Sequence, residues 1–217
     1  KVAIDDASRA DHALFASWSR PLSSSLALGL GLRGDAIRST NKGGFFGNRS
    51  ADHVAPSGHV SLTAALRTDT SATLQLSSGF RDPTLSDRYY RGPSGRGTVT
   101  GNPDLDPERS VQTDGALRWS RGERRVALHA YHYTINDLVE RYRAGADSFF
   151  RNRGEARLYG AELEAFFPVA RRLSARAGLA LARGTADGDD LDDIPAPNAS
   201  LEMRWAMTLA SVGTAGA

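Results

Sequence analysis

The clearest pattern along this chain is a strict alternation of apolar and small or polar residues. In residues 26–33, four leucines alternate with Ala, Gly, Gly and Arg. A period of two places the leucines on one face of a β-strand. Similar, though not always equally regular, patterns predict nine strands in all, at residues 13–21, 26–33, 60–67, 73–79, 111–119, 124–135, 149–167, 173–181 and 198–207.

The connections between these strands are predicted to alternate between short and long. The long ones are polar segments at residues 39–56, 80–110, 136–147 and 184–197. In an up-and-down antiparallel sheet this order places every short turn at one end and every long connection at the other. Outer-membrane barrels have that layout, whereas a soluble sandwich mixes its connections through Greek-key crossings.

The faces opposite the apolar ones carry charge, which a packed core would hold only at high cost. A water-filled or protein-plugged lumen would accept it. These charged residues are Arg33, Arg67, Arg118, Glu162, Glu164, Glu202 and Arg204. The predicted fold class is therefore all-β, an antiparallel up-and-down transmembrane β-barrel. A half-exposed sheet of a soluble binding module is the alternative, because alternation alone does not distinguish water from lipid, and the facing of strand 124–135 stays open.

The amino-acid composition excludes some kinds of site and favours others. The chain has 217 residues, 40% of them hydrophobic, a net charge of +2 and no cysteine, so disulfides and thiolate chemistry are excluded. Lysine occurs only at Lys1 and Lys42, and the other basic residues are arginines, which bind phosphates and carboxylates through paired donors. No apolar run approaches the ~20 residues of a membrane helix. The first residues lack the apolar core of a signal peptide, so we expect the chain to be part of a larger protein.

The segment from Phe80 to Ser110 is too long and too polar for a hairpin turn, and long loops of this kind are usually functional or disordered. We predict that it is a ligand-binding loop. Tyrosine offers a stacking surface and a hydroxyl, and arginine offers paired donors to anionic groups. The candidate contacts are Arg81, Arg88, Tyr89, Tyr90, Arg91 and Arg96. An arginine cluster facing lipopolysaccharide phosphates is the alternative.

The same segment carries two sequence motifs, and further motif residues follow them downstream in the chain. Their matching residues are Phe80, Pro83, Leu85, Gly101, Asn102, Pro103, Leu105, Pro107, Glu108, Asn152, Gly154, Gly160 and Glu162. In these blocks, and in Leu191 with Ile194 and Pro195 before the last strand, the chain resembles the TonB-dependent outer-membrane receptors. Pro103 and Pro107 also fit a rigid exit from the loop, with no contact to ligand.

The resemblance implies a 22-strand barrel with an N-terminal plug, driven by the TonB complex. We expect residues 1–217 to be a partial barrel domain, with the plug and the final strands absent. The implied function is binding and import of a scarce nutrient such as a ferric siderophore or cobalamin. The implied partners are the TonB complex through the plug, outer-membrane lipid and lipopolysaccharide, and a small-molecule ligand, with no nucleic acid.

No catalytic residue, resident metal or cofactor is predicted. Glu162 and Glu164 lie on one strand face at a spacing that would suit an inverting glycosidase, but lumen solvation explains them more simply, and an outer-membrane enzyme is retained only as an alternative. The aspartates of residues 187–193 leave open a Ca²⁺ site, although their order does not fit an EF-hand. His129 and His132 are predicted to point to opposite faces and so cannot share a metal.

Overall fold

The computed structural model describes residues 3–95, 97–191 and 194–206. Within them the only helix is α1 (Leu85–Tyr89), and no helix there is long and apolar enough to cross a membrane. The strands are β1 (Ala7–Pro21), β2 (Leu26–Gly43), β3 (Gly47–Arg67), β4 (Thr70–Arg81), β5 (Arg91–Ser94), β6 (Gly97–Thr100), β7 (Glu108–Arg121), β8 (Arg124–Ala144), β9 (Asp147–Ala170), β10 (Leu173–Ala186), β11 (Asp189–Asp190) and β12 (Asn198–Trp205).

The long strands pair in chain order, from β1 to β4, then β7 to β10, then β12 on β10. Each of these pairs is antiparallel, which confirms the predicted up-and-down antiparallel sheet. The sheet is open in the described part of the chain, with β1 and β12 at its edges. The hairpin β5–β6 lies within the connection from β4 to β7, and β6 adds a short parallel contact with β9.

One face of the sheet is apolar across its whole width. The register sets Leu30 between Trp18 and Val60, and Leu128 between Leu117 and Leu163. These side chains are substantially exposed because no described residue covers them. Trp205, on the same face of β12, is 71% exposed. A continuous apolar surface of this kind suits lipid rather than water.

The register also settles the facing of β8, which the sequence left open. Leu128 lies on the apolar face, and His129 lies on the other, opposite Glu162. His132 pairs with Tyr159 and so lies on the apolar face, which confirms that the two histidines point to opposite sides. The other charged residues predicted to face inward share the polar face, except that Arg67 follows a register shift and pairs with Thr70.

Two predicted long loops are instead strand extensions, so the expected alternation of connection lengths is only partly correct. The segment predicted at 39–56 continues β2 and β3 to a turn at residues 44–46, and the segment at 136–147 continues β8 and β9 to a turn at residues 145–146. Gly44 and Gly145 adopt positive φ values of 63° and 64°, which glycine accepts without strain. Similarly, the strand predicted to end at residue 167 extends through Pro168 to the end of β9, and the turn to β10 is confined to residues 171–172.

Candidate ligand-binding end of the sheet

The connection between β4 and β7 is a folded unit rather than an open loop. Helix α1 begins with a capping box, in which the Thr84 hydroxyl accepts from the Asp87 amide at 3.1 Å and the Asp87 carboxylate accepts from the Thr84 amide at 2.9 Å. The hairpin β5–β6 follows, and residues 101–107 return the chain to the sheet. We refer to residues 82–107 as the folded loop.

The folded loop lies over the polar face of the extended hairpin β2–β3. Alternate residues there are buried, among them Ile37, Ser39 and Asn41. Ile37 pairs with His53 and Ser39 pairs with Arg9, so these side chains share the face that the loop covers. The inner face of the extension is thus covered by the folded loop that connects β4 to β7, which explains why its sequence lacks the apolar alternation of the lower strand.

A buried charged cluster joins the loop to β1 and β3. The Asp82 carboxylate, 1% exposed, lies 2.8 Å from Nδ1 of His53, 3.1 Å from Arg9 and 3.5 Å from Arg88, whose side chain is also 1% exposed. Arg88 donates to the Pro103 carbonyl at 2.8 Å. Within the described residues the Asp82 oxygens make no well-aligned hydrogen bond, so the cluster is held mainly by charge.

A second ion pair closes the base of the loop. Arg81 donates to both Glu108 oxygens, at 2.7 and 2.6 Å, and Glu108 also accepts from the Val139 amide at 2.7 Å. Hydrogen bonding to Glu108 raises the pKa of Arg81. The two sequence motifs that flank the loop, one at the end of β4 and one at the start of β7, therefore meet in a paired-donor contact that reaches β8.

Two asparagines of the family motifs fasten the end of the loop to β9. Asn102 donates to the Phe150 carbonyl at 3.2 Å. Asn152 donates to the carbonyls of Asp106 and Asp137 at 2.9 and 2.7 Å, and its Oδ1 accepts from the Asp106 amide at 2.8 Å. Because backbone groups of irregular segments need partners, these side chains supply what a strand ladder would otherwise provide.

The motif glycines lie where another chain segment approaches closely. A Cβ at Gly101 would lie 2.7 Å from backbone atoms of Arg88, and one at Gly160 would meet the hydroxyl of Tyr131 at 2.5 Å. Leu191 and Ile194 lie over Gly184 on the inner face, close enough that a Cβ there would meet Ile194 at 2.7 Å. Leu105 is almost fully buried, in keeping with a structural position in the loop.

The six residues predicted to contact ligand fall into different environments. Arg81 is engaged with Glu108, and Arg88 and Tyr89 are buried at 1% and 2% exposure. Tyr90 is half-buried, and Arg91 is exposed. Arg96 lies outside the described residues. The structure thus orders the loop through some of these residues and presents others at its surface.

Arg91 lies at the rim of a cavity between the folded loop and the tip of β2–β3. Its guanidinium stacks over the ring of Phe45, 3.6 Å from the ring centre. The cavity, about 700 Å³ in volume, is also lined by Phe46, Tyr89 and Asn41. An arginine, a tyrosine and two phenylalanines around a concave surface can hold a planar or anionic group.

Sequence reasoning missed several residues of this end of the sheet, namely Arg9, His53 and Asp82 of the buried cluster and Phe45 of the cavity. Asp82 had a detectable signal, because it lies inside the first motif between Arg81 and Pro83. The other three come from strands or turns far away in the chain, and only the folded register brings them to the loop.

The acidic segment after β10 is partly engaged in ion pairs. Arg153 lies 3.4 Å from carboxylate oxygens of both Asp187 and Asp189, and 2.8 Å from Glu140. Burial acts to raise the pKa of Glu140, but hydrogen bonds from Arg151 and Arg153 outweigh it, and the net shift is downward. Asp192 and Asp193 lie outside the described residues. In the described residues no group of three or more potential metal ligands comes together.

Comparison with known proteins agrees with this architecture. The family model described as "TonB dependent receptor-like, beta-barrel" matches residues 2–216. The chain is similar to the "Iron-regulated outer membrane virulence protein" of Vibrio cholerae, 34% identical over 110 residues, covering 43% of this chain and 17% of that protein. It is also similar to the "Vitamin B12 transporter BtuB" of Vibrio vulnificus, 29% identical over 116 residues, covering 52% of this chain and 16% of that protein.

Among solved structures, the fold is similar to that of the "Copper transporter OprC", with a TM-score of 0.81 and 21% identity. The match covers 94% of this chain and 34% of the transporter. At this identity the likeness establishes the fold alone. The curated relatives are much longer than the region they share with this chain, which spans 17% and 16% of their lengths.

Proposed function

The chain belongs to the TonB-dependent receptor family, and we propose that it forms part of the barrel of an active-transport receptor. Receptors of this family are bacterial outer-membrane proteins, and this chain is one of them. We propose that the complete barrel has 22 strands and encloses a plug through which the TonB complex acts. The polar inner face, with Glu162, Glu164 and Arg118 exposed toward the lumen, supports a water-filled or plugged interior.

The observation that carries the transport proposal is the folded loop. It is anchored to β1, β3, β8 and β9 by charged and amide side chains, and it covers the inner face at one end of the sheet. Binding sites need side chains held in place by a rigid support. The loop therefore provides an ordered surface at the mouth of the barrel, on which a ligand can be held before it passes inward.

The proposed ligand is a scarce nutrient such as a ferric siderophore or a cobalamin. The similar Vibrio proteins are named for iron regulation and for vitamin B12 transport, and the similar solved structure is a copper transporter. We propose that the protein binds and passes this ligand without a chemical step. Contact would involve Arg91 and Tyr90, and Arg96 stays a candidate contact from the sequence, while outward arginines would meet lipopolysaccharide phosphates.

Transport assays test the proposal directly. The full receptor that contains this chain is expressed in a strain lacking its own uptake of ferric siderophores, cobalamin and copper, with and without a functional TonB complex. We expect uptake of one ligand class that disappears without TonB. Correct insertion is checked by heat-modifiable migration of the barrel. An inserted receptor that imports none of the panel, or imports equally without TonB, would contradict the proposal.

A further inference from the structure

The inner face of the sheet has a concave, arginine-rich surface at its short-turn end, with a volume of about 980 Å³. We refer to it as the basic hollow. In outer-membrane barrels the short turns face the periplasm, so the hollow lies at the opposite end of the lumen from the folded loop. The arginines that line it are Arg67, Arg118, Arg125 and Arg176.

The strand register brings three of these arginines close together. Arg125 and Arg176 both pair with Phe166, one from each neighbouring strand, so their backbones lie about 10 Å apart. Arg118 lies on the next strand, two residues from the partner of Arg125, at a Cα separation of about 7–8 Å. These separations are comparable to the Debye length at physiological ionic strength, so the charges repel one another unless a counter-charge comes between them.

The sheet itself supplies little of that counter-charge. Arg176 lies 3.8 Å from Glu202, which Arg204 also engages at 2.9 Å, so two arginines share one carboxylate. The other three arginines of the hollow make no ion pair and no side-chain hydrogen bond within the described part of the chain. Their guanidinium groups therefore present paired donors to whatever enters the lumen.

Three acidic residues also line the hollow, but they do not pair with its arginines. Asp69 accepts hydrogen bonds from the Thr70 hydroxyl at 2.9 Å and from the Trp119 indole at 3.2 Å. Glu123 and Glu164 are exposed, and among the described residues neither lies within ion-pair distance of an arginine. The arginines thus remain available to a partner that brings its own carboxylates.

The centre of the hollow is apolar, and the opposite part of the inner face is uncharged. Phe166 is half-buried between the two arginines with which it pairs. A ring flanked by free guanidinium groups fits a polypeptide segment that carries carboxylates and an apolar side chain. On β1 and β2 the inner residues near the same end are small and offer no such contact. They are Ser17, Ser19, Ala27, Gly29 and Gly31.

We propose that the basic hollow binds an acidic segment of the plug, with carboxylates at Arg118 and Arg125 and an apolar side chain against Phe166. The inference deepens the proposed function and rests on it, because it takes from that function the plug that fills the lumen. It assigns the charged attachment of the plug to the wall formed by β7–β10, and it leaves β1 and β2 as the side from which the plug separates. Ion pairs of exposed arginines are individually weak and screened by salt, so such an attachment yields when TonB pulls.

Carbodiimide coupling in the full receptor tests the contact, because this reagent joins an amine directly to a carboxylate that it touches. Lysine occurs in this chain only at Lys1 and Lys42, so Arg125→Lys places a new amine in the hollow and keeps the charge. We expect mass spectrometry to find position 125 joined to an Asp or Glu of the plug. Ser19→Lys, on the inner face of β1, is the matched control and should not couple to that segment.

Several coupling results would overturn the proposal. Position 125 could couple only to Glu123 or Glu164 of its own hollow, to a separate polypeptide, or to nothing. Coupling of the same plug segment to position 19 would overturn the assignment to one wall.

Hydrogen exchange measures what the charges contribute. The double variant Arg118→Gln, Arg125→Gln should make the coupled plug segment exchange about fivefold faster, because two exposed ion pairs are lost. Raising NaCl from about 0.1 M to about 1 M should have a similar effect on the wild type and little further effect on the variant. Arg171→Gln with Arg172→Gln removes the same charge from the turn between β9 and β10, outside the hollow, and is the control. Equal acceleration in the control, or a salt response that survives in the double variant, would overturn the ion-pair assignment.

Uptake by cells separates failure of this inference from failure of the proposed function. A receptor that imports its nutrient through TonB, but in which position 125 does not couple to the plug, refutes the basic hollow alone. Coupling to the plug in an inserted receptor that imports nothing refutes the transport proposal and leaves the hollow in place.

Discussion

Replacing Asp82 with Asn should loosen the folded loop without unfolding the barrel. Asn has nearly the volume of Asp, so the substitution leaves no cavity and removes only the negative charge. Arg88, 1% exposed, then keeps a buried positive charge with the Pro103 carbonyl as its remaining neutral partner. Arg9 and His53 also lose their common carboxylate.

The expected magnitude follows from the burial of the pair. Removing one partner of a buried ion pair typically costs about 3–5 kcal/mol, because the other charge is left uncompensated. If the lost free energy lowers only the cost of local opening of the loop, a loss of about 3 kcal/mol should make amide hydrogens in residues 84–106 exchange about a hundredfold faster. Strand amides in β8 and β9 below the loop should keep their protection.

Hydrogen exchange read by mass spectrometry on the full receptor measures this effect. The matched control is Asp52→Asn, whose partner Arg38 lies 3.6 Å away with both side chains more than 60% exposed. An exposed pair contributes about 0–1 kcal/mol, so exchange should change less than about fivefold. Adding Arg88→Met to Asp82→Asn should restore part of the protection, because it removes the stranded charge.

Loop exchange in Asp82→Asn that matches the control would refute the assignment of the cluster as the main anchor. A loss of protection spread evenly over loop and strands would refute its local character.

Three further predictions concern the faces, the amide anchor and the pH response of the sheet. Leu30→Arg should destabilise the barrel in lipid by roughly 2–4 kcal/mol, measured by denaturant unfolding, because Leu30 faces the bilayer. Gly31→Arg should be tolerated in a His59→Ala background, because the His59 ring otherwise fills the inner face beside Gly31. Asn152→Ala should destabilise the loop exit by about 2 kcal/mol, measured by hydrogen exchange, because it removes hydrogen bonds to backbone groups. The pKa of Glu140 in the folded protein is lowered, so the stability that this carboxylate provides is present above its ordinary pKa of 4.5 and is lost as the pH falls through the lowered pKa. Hydrogen exchange at the tip of β8–β9 should therefore rise as the pH falls through that lowered pKa, and Glu140→Gln should abolish this pH dependence.

Each of these predictions has a result that would contradict it. Equal tolerance of Arg at positions 30 and 31 in the His59→Ala background would mean that neither face meets lipid. An Asn152→Ala variant with native exchange at residues 104–107 would show that the backbone there is held by other groups. A pH response at the hairpin tip that survives Glu140→Gln would assign the titration to another acid.

The lower part of the sheet could be predicted from sequence because each side chain there faces one of two solvents. Leu30, Leu128 and Leu163 face lipid and their sequence neighbours face the lumen, so apolar and polar or small residues alternate with a period of two. The register then follows from matching apolar faces on adjacent strands. For β8 the pattern was weak, because His132 and Thr134 occupy the apolar face and Tyr131 and Tyr133 the polar one.

The upper part could not be predicted in the same way. Ser39 and Asn41 are buried polar residues on the same face as Ile37, so this isolated apolar residue gives too little contrast to mark a face. The strand extension was therefore expected to be a loop. In the candidate site, residue type suggested that Arg88 contacts ligand, but its guanidinium lies inside the fold against Asp82, a contact that depends on the helix direction rather than on composition.

These two regimes imply that the barrel and its mouth are stabilised by different forces. Lipid-facing leucines and strand ladders hold the lower sheet, and this stabilisation does not depend on any one native ion pair. The folded loop depends on a few buried or half-buried charges and amides, chiefly Asp82, Glu108 and Asn152, each of which contacts more than one element. A small change in charge can therefore open the mouth while the barrel stays intact. That separation agrees with the proposed transport function, in which a ligand is held at the surface and later released inward.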